Sequence, residues 1–117
     1  MNETNLEHSF TGPPFTVGIE EELMILDRKS LELRPEIEPL LAAVPAEFEG
    51  QVKPELLSSV LEIATKSCGG VTEAGEELAR LRSMVVGLAA ERGLRIGAAA
   101  THPTGRWEEQ EIVDRPR

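Results

Sequence analysis

Four glutamates stand where apolar side chains would be expected. Three are consecutive, Glu20, Glu21 and Glu22 in the segment GIEEELMILD, and Glu62 interrupts the run SSVLEIATK. Glu55 lies seven residues before Glu62, just after Pro54. Read as extended strands, both segments alternate faces. Phe15, Val17, Ile19, Leu23 and Ile25 then share one face with Glu21, whose partner the sequence does not reveal. Glu20 and Glu22 lie on the other face with Thr16, Gly18, Met24 and Leu26, roughly 7 Å apart along the strand. Repulsion between them disfavours the strand unless a cation or an arginine intervenes. In the second segment Leu61, Ile63 and Thr65 form one face, and Val60, Glu62 and Ala64 the other. Side by side in one sheet, the two strands would bring Glu20, Glu22 and Glu62 together with Glu55 at the rim. Carboxylates that converge without His or Cys suit a hard cation bound through oxygen, magnesium first and manganese as its substitute. The plain alternative is surface charge on a half-exposed sheet.

Other residue types add less. His102, in THP, is held extended by Pro103, and a loop at a strand end is a common place for a binding site. Thr101 shares that loop, and Trp107 and Gln110 follow it with weaker signals. Cys68, the single cysteine, has no basic neighbour in sequence and reads as a small buried residue. There is neither a GxxxxGK[ST] phosphate loop nor a GxGxxG turn.

These residues need elements to position them. Residues 1–14 read as a flexible lead-in ending at Gly12-Pro13-Pro14, and residues 15–27 as a first strand closed by a polar turn. A short strand or turn follows at Leu31–Arg34. Glu36–Phe48 carries Ile37, Leu40, Leu41 and Val44 at helical spacing, kept short by Pro39 and Pro45. QVKPELLSSVLEIATKSCGG forms a second extended region. From Thr72 to Arg92, Ala74, Leu78, Leu81, Val85, Leu88 and Ala89 recur as one apolar face. Thr72 is the expected N-cap, Gly93 the expected C-terminal glycine, and Glu76 with Arg80 an expected i, i+4 pair; Arg80 and Arg82 are expected on the solvent side. Leu94–Thr101 reads as a buried strand. The order is a mixed α+β chain, with parallel and antiparallel pairing both open.

Bulk properties set limits. The 117 residues suit one domain or part of a larger one, and 40% apolar residues with no tyrosine leave packing to aliphatic side chains. A formal charge of −9 argues against nucleic acid or an anionic membrane as the main partner. One cysteine fits a reducing cytoplasm, and MNETNLEHSFTGPPF has neither the basic nor the apolar region of a signal peptide.

Three segments, FTVGIEEELMILD, ELLSSVLEIATKSCGG and AAATHPTGRWEEQEIV, in this order and spacing resemble the start of bacterial carboxylate–amine ligases related to glutamate–cysteine ligase. The long helix between the second and third fits as well, and the likeness runs from Phe15 to about Arg115. The resemblance implies an N-terminal portion, residues 15–117, of a glutamine-synthetase-like catalytic domain: a curved antiparallel sheet with helices on its outer face. It implies that Glu20 and Glu22 hold magnesium, that Glu62 contacts metal, that Glu55 belongs to the same cluster, and that Glu21 does not. It makes His102 a substrate contact, with Thr101 weaker. The implied reaction consumes ATP, joining L-glutamate through an acyl phosphate to an amino-acid amine, cysteine in the named reaction.

Family members are roughly three times longer, and a domain of ~120 residues is too small for the whole curved sheet. The chain alone is therefore expected to be inactive, with open sheet edges compatible with a homo-oligomer. A rival reading is a shortened, non-catalytic relative that binds a cation or another protein. A third is an unrelated α+β module with a coincidental acidic face.

Overall fold

The computed structural model describes residues 15–115, so the lead-in expected at residues 1–14 lies outside the described residues. The chain forms β1 (Glu20–Asp27), α1 (Ile37–Ala43), a 3-10 turn (Ala46–Phe48), β2 (Val52–Pro54), β3 (Val60–Ala64), α2 (Val71–Ala90), β4 (Leu94–Gly97) and a second 3-10 turn (Trp107–Glu109). The four strands make one antiparallel sheet in the order β2-β3-β1-β4. This α+β arrangement agrees with the expected class and resolves the pairing as antiparallel.

Register follows from burial. Leu23 pairs with Leu61, Glu21 with Ile63 and Ile25 with Ile96, which places the apolar residues of three strands on one face. There Leu23, Ile25, Leu61 and Ile63 pack with Ile37, Leu40, Phe48, Leu81, Val85, Ala89 and Leu94 into the core. Slipping any strand by one residue would turn these side chains to the opposite face, so the pattern holds the register. The opposite face carries Glu20, Glu22, Glu62 and Lys53.

The long helix forms where its periodicity places it, but its start differs. Gly70, not Thr72, is the N-cap, and no side chain caps it. Glu73 instead reaches back from the third helical position to accept the Gly69 N–H at 2.7 Å, satisfying a donor that the helix cannot. At the other end Gly93 adopts φ +68°, and Arg92 donates to the Leu88 carbonyl at 2.9 Å, closing free carbonyls of the last turn.

The Glu76–Arg80 pair is not seen. Arg80 lies 4.5 Å above the Phe48 ring and ion-pairs with Glu77 on its own helix, one turn back, at 3.5 Å and with Glu47 of the first 3-10 turn at 3.9 Å.

Two strands are shorter than expected. Residue 15 has φ +62° and is exposed, so Phe15 does not join the apolar face; Val17 makes only an isolated bridge to Cys68 before the ladder begins at Glu20. Beyond Gly97 the chain leaves the ladder, and Ala98–Ala100 are exposed. β4 is an edge strand, and only Leu94 in it is buried.

Candidate metal centre

Glu22 and Glu62 are directly paired across β1 and β3, and Lys53 on β2 is the next residue in the same row. Two like charges directly opposed in a sheet destabilise it unless a third group intervenes. Glu55 supplies a third carboxylate instead. One carboxylate oxygen from each of Glu22, Glu55 and Glu62 lies within 4.8 Å of the others. On the flank, Lys53 Nζ stands 3.6 Å from Glu62 Oε1.

Each carboxylate has its own support. Glu22 and Glu62 are fixed by the ladder. Glu55 follows β2 in a loop held by the chain near its far end. Ser58 N–H donates to the Glu111 carbonyl at 2.8 Å, Val113 N–H donates to the Leu56 carbonyl at 2.9 Å, and Leu57 bridges Ile112. Ser59, the buried polar residue of the core, donates its hydroxyl to Gln110 Oε1 at 2.7 Å, and Gln110 Nε2 donates to the Arg106 carbonyl. Gln110 is thus a tie for the Glu55 loop. Glu55 Oε2 also accepts the Leu56 N–H at 3.1 Å, which orients its carboxylate.

The donor set fits a hard divalent cation: all oxygen, all anionic, from three different segments, with room left for water or phosphate. Magnesium holds its oxygens at about 2.0–2.1 Å, so opposed ligands stand about 4.2 Å apart. Adjacent ligands stand closer, about 3 Å apart, so the trio, now within 4.8 Å, would draw together to hold one ion.

Glu20 was expected with this group and is not part of it. It pairs with Ala64, one side-chain repeat away on the same face, and is exposed.

Glu21, left without a partner by the sequence, has one. Arg82 grips it with both prongs, Nε to Oε2 at 2.7 Å and Nη2 to Oε1 at 2.5 Å. The hydrogen bonds it donates to Glu21, and then the Glu21 charge, raise the pKa of the Arg82 guanidinium above its ordinary value. Arg82 is therefore more than a solvent-side residue of the helix. Sequence reasoning missed both it and Lys53, because each partner lies across the fold and no local spacing marks it.

His102 spends both ring nitrogens inside the chain. Nδ1 faces the N–H groups of Gly105 at 2.8 Å and Thr104 at 3.2 Å, so it is the acceptor, which leaves Nε2 to donate to the Leu31 carbonyl at 2.8 Å. Leu31 has φ +60°, a conformation that a branched residue adopts only when held. The geometry makes His102 a clamp between two loops, and Thr101 is exposed beside it. Cys68 is fully buried.

Among the described residues no helix is long and apolar enough to cross a membrane. The family description "Glutamate-cysteine ligase family 2" matches residues 16–117. Similar proteins bear the name "Putative glutamate--cysteine ligase 2". That of Chloroflexus aurantiacus is 46% identical over 99 residues, covering 85% of this chain and 25% of the relative. That of Herpetosiphon aurantiacus is 43% identical over 104 residues, 89% of this chain and 27% of the relative. That of Sorangium cellulosum is 41% identical over 105 residues, 88% of this chain and 28% of the relative. The chain thus spans about a quarter of the length of the curated relatives it matches. With the match running from the first strand through the glutamate row to the last described residues, the chain belongs to glutamate–cysteine ligase family 2.

Proposed function

We propose that this chain is the N-terminal part of an ATP-dependent carboxylate–amine ligase, and that Glu22, Glu55 and Glu62 hold a divalent cation for it. The observation that carries this reading is the meeting of those three carboxylates from two strands and a loop. The reaction is the joining of L-glutamate to an amine, cysteine in the reaction that names the family. An oxygen of the glutamate side-chain carboxylate attacks the γ-phosphorus of ATP, and the bond to ADP breaks. The amine nitrogen then attacks the acyl carbon of the acyl phosphate, phosphate leaves, and the nitrogen gives up a proton. Two anions must approach one another in the first step. A magnesium or manganese ion supplies the neutralisation of phosphate charge and a fixed in-line geometry.

The glutamates themselves act as holders of charge and position, not as proton carriers. Glu20, about 7 Å along the strand from Glu22 on the same face, lies outside the trio and would hold a second ion beside it. The remaining three quarters of a full-length relative would supply the nucleotide pocket, so the chain alone is inactive in this reading.

The test is ADP release by the full-length protein with glutamate and a panel of amino acids, with and without magnesium. Release should require both glutamate and magnesium, and Glu62→Gln or Glu22→Gln should lower it at least about a hundredfold. Rates like those of the unaltered protein in either variant would refute the assignment.

A further inference from the structure

The strand that presents Glu22 is held unevenly. β1 pairs with β3 from Glu20 to Met24, but its ladder with β4 runs only from Met24 to Asp27 among the described residues. The half that carries Glu20, Glu21 and Glu22 is therefore hydrogen-bonded on one side. A segment paired on one side only is less constrained in its twist than one held on both sides. A small change of that twist tilts the Glu22 side chain relative to Glu55 and Glu62 while the backbone pairing with β3 is kept.

One contact opposes it. Glu21 points to the reverse face, where Arg82 of α2 grips it bidentately from 61 residues away. A fork-to-fork pair fixes orientation as well as distance. The helix behind it is anchored, since its neighbour Leu81 is fully buried in the core. Turning Glu22 outward would drag Glu21 out of this grip, so the pair works as a stay on the back of the sheet.

We propose that Arg82 is a positioning residue for the metal centre, setting the direction of Glu22 through Glu21 from the opposite face of the sheet. The proposal rests on the metal reading above. Its sign separates it from simple electrostatics. Deleting a cation from the chain makes the chain more negative, and the field alone would then tighten a divalent ion. Loss of positioning loosens it.

Manganese binding to the full-length protein, followed by the electron-spin signal of free Mn2+, tests this. Arg82→Met should weaken binding about tenfold, as loss of a supporting partner commonly does. Arg82→Lys, which keeps charge but not the fork, should fall between. The reversed pair Glu21→Arg/Arg82→Glu should bind within about twofold of the unaltered protein, and so should Arg80→Met, a neighbouring cation with no tie to β1. Amide hydrogen exchange should quicken at Glu20–Glu22 in Arg82→Met and stay unchanged at Met24–Asp27. Equal or tighter manganese binding in both Arg82 variants overturns the role of Arg82 alone. No binding by the unaltered protein, or binding indifferent to Glu62→Gln, overturns the metal reading and this role with it.

Discussion

Lys53 offers a measurement of the field inside the glutamate row. Its ammonium lies 3.6 Å from Glu62 Oε1 and the side chain is 47% exposed, so water screens it and the bulk dielectric applies. An ion bound to Glu62 on the side away from the lysine sits about 6 Å from that ammonium. A single and a double positive charge at that distance repel by about 1.4 kcal/mol in water. At 0.1 M salt, with a Debye length of about 10 Å, a little over half of this survives, about 0.8 kcal/mol. Lys53→Met keeps most of the stem and removes the charge. It should therefore tighten manganese binding about fourfold at 0.1 M salt. At 1 M salt, where screening shortens to about 3 Å, the gain should nearly vanish. Titration with the free-Mn2+ signal at both salt concentrations reads both numbers. Weaker binding in Lys53→Met would refute the reasoning and show that Lys53 matters by holding Glu62 in place, and a gain that survives 1 M salt would refute the screened-field account.

Two further outcomes follow from the loops. Asp27 accepts the backbone N–H groups of Ser30 and Lys29, each at 2.8 Å, and these bonds, with Arg34 nearby, hold its carboxyl below the ordinary value of 3.8. A carboxylate lowered on folding stabilises the chain above the unfolded value and loses that contribution as pH falls through the folded one. Asp27→Asn should therefore lower the urea midpoint at pH 7, and the gap to the unaltered chain should narrow as pH falls below about 4; an equal gap at pH 7 and pH 3 would contradict this. His102→Phe keeps a ring but removes the bonds to Leu31, Thr104 and Gly105. It should cost about 1–3 kcal/mol of stability by urea unfolding, and a change within error would show that the clamp is unimportant.

Much of the fold was legible because the residues that build it repeat. Ala74, Leu78, Leu81, Val85 and Ala89 mark α2 at a spacing that only a helix presents on one side, and its observed span differs by two residues at the far end. The start was harder to place. Thr72 has the chemistry of a cap, but the chain turns at Gly70, and Glu73 satisfies the preceding N–H instead. The run Leu94–Thr101 looked buried because it is apolar. Yet burial depends on what lies beside a strand, and among the described residues β4 has a neighbour on one side only.

The carboxylates divide the same way. Alternation along β1 was enough to put Glu22 and Glu21 on opposite faces, because the period of a strand is built into its backbone. The resemblance of three short motifs was enough to name the family. Together they placed Glu22, Glu55 and Glu62 in one cluster, but neither could say that Glu20 stands outside it, nor that Lys53 and Arg82 attend Glu62 and Glu21. Those pairings depend on the register between strands and on where α2 lies across the sheet. Both are set by the packing of the core side chains as a whole, and no stretch of chain carries them alone.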